Sequence, residues 1–430
     1  MVSHSTEAKS AQQEKRTPDA GAALRHCDVL VLDARLRQSL VAVRSLGSHG
    51  LRVAALDSAN AVPAFSSRWC QQPYRCQAVE ATESYLTALI DALDRTGASA
   101  LIASSDSTVA LLRLHREQLE QRVHIALARE PALGVAINKE QTLEIAGQLG
   151  LHVPRGVLVT SASDVAPALQ EIGLPAVVKP VESWIWGAQH GIRVASQLVT
   201  TADEAQHAIE ELTASGGTVL FQQFLTGKRE AISLMYAHGE FYARFAQWAK
   251  RTDPPLGGTS VLRQSIAIPA DIGAQAERLV RAIDLEGYSE VEFRRDSTGK
   301  PYLMEINPRL SASVEIAVRS GVDFPLLLYQ WANGERIDKV ESYRTGTWMR
   351  FFKGDLMATF ASLQQHGRPG IAHPARVLFD FGISCVIPMA YDYVNWQDPA
   401  PAFIATTDFT RTWLGGAIKK RLSRTRRMFS

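Results

Sequence analysis

Between Asp28 and Ala128 short apolar runs alternate with amphipathic stretches, and that alternation leaves few folds open. Asp28–Asp33 (DVLVLD) is an apolar run of the kind that becomes a strand covered on both faces. Ser39–His49 carries apolar residues at helical spacing and stops at Gly50, and Leu51–Leu56 is a second apolar run. A strand, a helix and a strand in such close succession pair in parallel through a right-handed crossover. A helix over Glu83–Asp94, a strand over Ala100–Ala103, a helix over Ser107–Gln121 and a strand over His124–Ala128 continue the pattern. The region predicts an open parallel α/β sheet with helices on its faces. Its first turn reads DARLRQS, not GxGxxG, so it lacks the glycines that seat a dinucleotide pyrophosphate. A structural layer packed on another domain is the better reading.

The texture changes from Pro131. Asn138–Gly150 and Ser163–Ile172 read as helices, separated by an extended segment that starts at Val153-Pro154. Strand Ala176–Lys179, a polar and aromatic loop, strand Ile192–Ala195, helix Ala202–Leu212 and strand Thr218–Phe221 follow. Glu230–Ala237 and Glu240–Trp248 flank a turn at His238-Gly239 and form a hairpin. Helix Ile272–Ile283 then leads to strands Tyr288–Arg294 and Pro301–Ile306, joined at Ser297–Lys300. This part is α+β. Beyond about Glu335 the pattern is irregular, with a strand at Trp348–Phe352 and a helix at Asp355–Gln365.

Composition narrows the class. The chain has 430 residues, 46% hydrophobic and 21% charged, which suits about three globular domains and excludes disorder throughout. Basic and acidic residues nearly cancel (46 against 44), so no nucleic acid partner is expected. Cys27, Cys70, Cys76 and Cys385 show no CxxC spacing, against a disulfide scaffold or a zinc ribbon. No apolar run is long enough for a transmembrane segment, and the first 26 residues are polar, reading as a flexible tail without a signal core. A cytoplasmic setting is expected. The P-loop GxxxxGK[ST], HExxH and GxSxG are absent. Gly416–Ser430 carries six basic residues and no acidic one, which suits either a solvated end or a dock for an anionic surface.

The chemistry concentrates in EVEFRRDSTGKPYLMEINPRLSASVEIAVR, residues 290–319. In a hairpin, Glu292 and Glu305 lie side by side, and Asn307 projects to the face of Glu305. Two carboxylates and a carboxamide oxygen are the hard ligands that suit Mg²⁺ shared with phosphates, not zinc. A surface pair of glutamates is the alternative reading of the same spacing.

MEINPRLSAS resembles the signature of the ATP-grasp superfamily, and the likeness runs in order from roughly Asp28 to Asn333. The resemblance implies a pre-ATP-grasp α/β domain over residues 27–130, after the tail 1–26. It further implies a two-lobed ATP-grasp domain over 131–335 and a C-terminal extension over 336–430. It implies that Lys139 and Lys179 (of VVKP) hold the ATP phosphates and that the Gln223 and Leu225 main chain holds adenine. Glu230 falls where the ribose-binding acid lies. Glu292, Glu305 and Asn307 are implied as ligands of Mg²⁺, or Mn²⁺, and Arg309 as the contact to transferred phosphate, with Lys179 also catalytic.

The implied reaction is an ADP-forming ligation of a small-molecule carboxylate to an amine through an acyl phosphate, nearest the carboxylate–amine ligases and the carbamoyl phosphate synthetase-like clamp. Carboxylation through carboxyphosphate, as in biotin carboxylases, and a non-catalytic ATP sensor or scaffold stay open, as does a homodimer. The lid loop VESWIWGAQHGIRV departs from glycine-dense relatives, with Trp184 and Trp186 beside Gly187 and Gly191. The tryptophans either shape an apolar substrate pocket or pack on the neighbouring lobe. His190, in the lid, reads as structural or solvent-facing, with a base or phosphate role as the alternative. Gln222-Gln223 stand where relatives often have acids.

Overall fold

The computed structural model describes residues 26–186, 191–193, 196–214 and 217–413. The N-terminal tail, His190, Gly187 and the basic segment from Gly416 therefore lie outside the described residues, as do the side chains of Ile185 and Trp186.

Strand β1 (Val29–Val31) is buried on both faces, as are β2 (Val53–Asp57) and β4 (Ala100–Ile102). With β3 (Cys70–Arg75) and β5 (His124–Ile125) they form a parallel sheet in the order β3-β2-β1-β4-β5. Helices α1 (Arg37–Ser48), α2 (Glu83–Thr96), α3 (Asp106–Leu114) and α4 (Arg116–Glu120) belong to this layer. Ser105 caps α3 by accepting from Thr108 N at 3.2 Å, satisfying one of the donors a helix start leaves free. The single helix expected over Ser107–Gln121 is broken at His115, whose φ of −113° is not helical. Strand β3 has no signal in the sequence: CQQPYR has no apolar run, and its proline is tolerated because β3 is the sheet edge.

Helices α5 (Ala132–Ile137) and α6 (Lys139–Gln148) lead into the next layer. Strands β6 (Gly156–Val159), β7 (Ala176–Pro180), β10 (Gln197–Val199) and β11 (Val219–Gln223) make an antiparallel sheet in the order β10-β7-β11-β6. Between β7 and β10 the ribbon β8 (Trp184–Trp186) pairs with β9 (Gly191–Arg193). Helices α7 (Val165–Ile172) and α8 (Ala202–Thr213) bury their apolar stripes against Val178, Val219 and Phe221. Lys179 lies opposite Leu220, so Lys179, Leu220 and Gln222 share the sheet face that turns away from those helices.

The largest sheet has seven strands in the order β16-β15-β12-β13-β14-β17-β18. These are β12 (Arg229–Ala237), β13 (Glu240–Asp253), β14 (Thr259–Ile266), β15 (Gly287–Arg295), β16 (Pro301–Asn307), β17 (Trp348–Arg350) and β18 (Ala390–Tyr391). Helix α9 (Ala270–Ala282) precedes β15, while α10 (Glu315–Ser320) and α11 (Phe324–Ala332) follow β16. Helices α12 (Phe352–Gln364) and α13 (Pro374–Val386) lie between β17 and β18.

The chain after Glu335 is thus built into this sheet, β17 pairing with β14 and β18 with β17. Its buried Asp392 accepts from Arg263 at 2.6 and 3.0 Å and from Arg37 of α1 at 2.7 Å. Buried charges persist when they are paired and hydrogen-bonded in this way, so the contact ties the C-terminal part to β14 and to α1 of the parallel-sheet layer. No helix among the described residues is long and apolar enough to cross a membrane.

Candidate active site

Strands β15 and β16 set Glu292 opposite Glu305 and Glu290 opposite Asn307. Cross-strand partners share a sheet face, so all four polar side chains project together. Asn307 Nδ2 donates to Glu292 Oε1 at 3.3 Å. The structure therefore brings Glu292, Glu305 and Asn307 together. Among the described residues no group of three or more His, Cys, Asp or Glu side chains forms a protein-only metal cage. Two carboxylates with one carboxamide suit a hard divalent cation that takes its remaining ligands from phosphate and water.

Cations converge on this pair from three elements. Lys139 opens α6, whose N-cap Asn138 accepts from Gln141 N at 3.0 Å. Its Nζ donates to Ser183 Oγ at 3.1 Å and lies 4.0 Å from Glu305 Oε2. Lys179 reaches in from β7 and is buried. Burial pushes its ammonium down to about 8, Lys139 adding to that and Glu305 and Glu292 opposing it. Arg229, at the start of β12, donates from Nε and Nη2 to Glu292 Oε2 at 2.9 and 2.5 Å.

The two carboxylates differ in consequence. Burial raises the Glu292 carboxyl above the usual carboxylate range; Arg229 pulls it down, while Glu305 and Glu290 push it further up. Burial alone would raise Glu305 too, but Lys139, Lys179 and Arg229 more than offset it and leave Glu305 below that range. Lys139, Ser183, Trp184, Glu305 and Asn307 line one cleft, and Asp106 of the parallel-sheet layer closes its side. Arg309, just past β16, donates from Nε to Asp106 Oδ1 at 2.6 Å.

The hinge lies at the end of β11. Gln223 N is used in the sheet, donating to Arg155 O at 2.9 Å, while Leu225 is buried. Gly227 is required because a Cβ there would stand 2.4 Å from Arg295 O, to which Gly227 N donates at 2.9 Å. Gln222 is fully buried, and its carboxamide has no hydrogen-bond partner among the described residues. An orphaned buried amide costs about 1–3 kcal/mol, which a polar ligand at this face would recover. A polar base edge beside the hinge and a triphosphate at the lysines fit the residues present.

Glu230 is not brought to this cluster. It alternates with Arg229 to the other face of β12, opposite Phe293 of the core, and accepts from Arg295 Nε at 2.6 Å. The side chain facing the carboxylates is Arg229, its neighbour. Sequence reasoning also missed Glu290, whose Oε2 accepts from Gln247, Ser311, Ser313 and Ser233 at 2.9–3.3 Å. The spacing of Glu290 and Glu292, two apart in one strand, was the available signal for it.

A family profile described as "ATP-grasp in the biosynthetic pathway with Ter operon" matches residues 218–352, the stretch that holds the hinge and the carboxylate hairpin. That stretch of the chain is similar to the ATP-grasp superfamily. The chain is 25% identical over 215 residues to a D-alanine–D-alanine ligase of Pseudomonas putida (strain GB-1), covering 46% of the chain and 64% of that protein. It is 26% identical over 327 residues to the carbamoyl phosphate synthase large chain of Thermus thermophilus, covering 70% of the chain and 30% of that protein. The chain thus spans under two thirds of the length of the curated relatives it matches. Among solved structures, a biotin carboxylase–β-γ-ATP complex from Campylobacter jejuni superposes with a TM-score of 0.60 at 15% identity, over 75% of this chain and 74% of that one. That likeness is one of fold.

Proposed function

We propose that this chain is an ADP-forming ATP-grasp ligase that joins a small-molecule carboxylate to an amine. The observation that carries the reading is the convergence of Lys139, Lys179, Glu292, Glu305 and Asn307 from separate elements on one buried site. Supporting it are the D-alanine–D-alanine ligase and carbamoyl phosphate synthase relatives, at 25% and 26% identity.

Lys139 and Lys179 hold the phosphates, and Gln222 with the Gln223–Leu225 main chain holds the base. Glu292, Glu305 and Asn307 would hold Mg²⁺, or Mn²⁺, which supplies neutralisation of phosphate charge when bound. The substrate carboxylate oxygen attacks the γ-phosphorus as the bond to the ADP oxygen breaks, giving an acyl phosphate. The amine then attacks the acyl carbon, the C–O bond to phosphate breaks, and the amine proton is lost. Arg309, oriented by Asp106, stabilises the transferred phosphate, and the Trp184 side of the cleft excludes water that would hydrolyse the acyl phosphate.

The test is a phosphate-release screen of the purified chain with ATP, Mg²⁺ and a matrix of amino acids, followed by mass spectrometry. The reading requires ADP and phosphate in equal amounts, with a product weighing the two substrates less one water. AMP and pyrophosphate, or phosphate release without product in every combination, would contradict it.

A further inference from the structure

Helix α13 turns a largely apolar face to solvent. Its one buried residue is Ser384, whose Oγ accepts from Arg251 Nη2 at 3.0 Å and whose carbonyl accepts from Arg350 Nη1 at 3.2 Å. The Asp380 carbonyl accepts from Arg251 as well, at 3.3 Å. Ser384 and these carbonyls thus face the protein, with Val377 and Phe381 half-buried beside them. Leu378, Phe379, Gly382, Ile383 and Val386 face outward, and at 100° per residue they span about 140° of the helix surface. Phe379 is 65% and Val386 77% exposed. Arg376 and Asp380, paired at 3.8 Å, sit at the edge of that face.

The exposed apolar surface continues onto the neighbouring helices. The Phe352 ring of α12 lies 6.5 Å from that of Phe381, and Phe360 of α12 is also exposed. Residues 400–413 form a further helix, with Phe403 and Trp413 exposed and Phe409 beneath Lys353 Nζ at 5.2 Å. Trp396, on the loop before it, is 92% exposed. Water-facing helices normally put their polar stripe outward, and contiguous apolar surface marks an interaction site.

The sequence beyond this last helix indicates the occupant. Lys419, Lys420, Arg421, Arg424, Arg426 and Arg427 come soon after it, and no acidic residue occurs after Asp408. We propose that the C-terminal face docks on an anionic phospholipid bilayer, with α13 and the aromatic side chains lying in the interface and the basic run held by the headgroups. Aromatic and aliphatic burial together with a polybasic segment is the pair of signals that stable peripheral attachment needs, each alone being marginal. A second copy fits less well, since self-association through this face would bring two cationic runs together.

The test is flotation of the full chain with vesicles of phosphatidylcholine alone, or with about a quarter phosphatidylglycerol. The wild type should float with the anionic vesicles at low salt, and less at about 0.3 M salt, where surface charges are screened. Leu378→Ser/Phe379→Ser/Val386→Ser and deletion of 419–430 should each weaken binding about tenfold or more. The triple variant should keep the wild-type Tm, because it leaves the buried arginine contacts in place. Failure of the wild type to float with phosphatidylglycerol vesicles at low salt overturns the proposal. So does unchanged flotation of the triple variant, or a dimer in sedimentation velocity that the triple substitution splits.

Discussion

Arg309 Nε donates to Asp106 Oδ1 across 2.6 Å, although 203 residues separate them. The contact binds the first turn of α3, in the parallel-sheet layer, to the end of the strand that carries Glu305 and Asn307. A charge-assisted hydrogen bond of this length fixes a long side chain that would otherwise sample many rotamers. The parallel-sheet layer is therefore more than a packing surface: it supplies the group that aims Arg309.

Asp106→Asn keeps the shape and removes the charge. Phosphate release should fall about tenfold with little change in the KM for ATP, since the lysines that hold the nucleotide are untouched. Steady-state kinetics in ATP checks this; unchanged kcat would show that Arg309 is placed without Asp106.

Lys179→Met removes the ammonium and roughly keeps the stem. ATP affinity or kcat should fall about tenfold or more, about 1.4 kcal/mol. A proton signature accompanies it. The buried ammonium titrates at about 8, against roughly 10.4 for a free lysine. Between those values the unfolded chain binds more protons, so the free protein gains stability as pH rises through that window. Nucleotide phosphates give Lys179 a partner and raise it again, so binding at about pH 8.5 takes up protons. Calorimetry in buffers of different ionisation enthalpy reads this uptake, and Lys179→Met should abolish it.

Arg229→Met leaves Glu292 buried without its guanidinium. Breaking such a pair costs about 3–5 kcal/mol, so the Tm should drop by several degrees or more. A divalent cation with ADP replaces the missing charge, so Mg·ADP should raise the variant's Tm more than the wild type's. Equal shifts would separate Glu292 from the metal.

The carboxylate hairpin was legible because period-2 alternation and a tight turn are local properties of residues 290–307. Parallel strands β1, β2 and β4 were legible for a similar reason: burial on both faces writes itself as an apolar run. Strand β14 was not, because Arg263 interrupts TSVLRQSI, and its charge is compensated by Asp392, 129 residues later. No local pattern announces such a pairing. Glu230 shows a different limit. Its type matched the expected ribose acid, but the strand phase turns it to Arg295 and brings Arg229 to the carboxylates. Gln222 stood out in the sequence only as a departure from acids; the burial and isolation of its amide are products of sheet packing alone.

Deleting Lys419–Ser430 should leave ATP-dependent phosphate release nearly intact, since all the residues assigned to the site precede Ser311. A folded truncated protein without activity would place the tail in the active site.

Glu305→Gln should keep the fold and abolish ADP formation, because an anionic ligand is lost where charge develops. Thermal melting with an ADP assay checks both halves; wild-type ADP formation would remove Glu305 from the metal site.

The acyl phosphate is the centre of the account, and oxygen transfer reports on it most directly. A carboxylate substrate identified by the phosphate-release screen is labelled with ¹⁸O in both oxygens and turned over with ATP, Mg²⁺ and the amine. The account predicts that each phosphate released carries one ¹⁸O, donated when the carboxylate attacked the γ-phosphorus. Unlabelled phosphate, with the ¹⁸O lost from the carboxylate recovered in AMP or water instead, would contradict it.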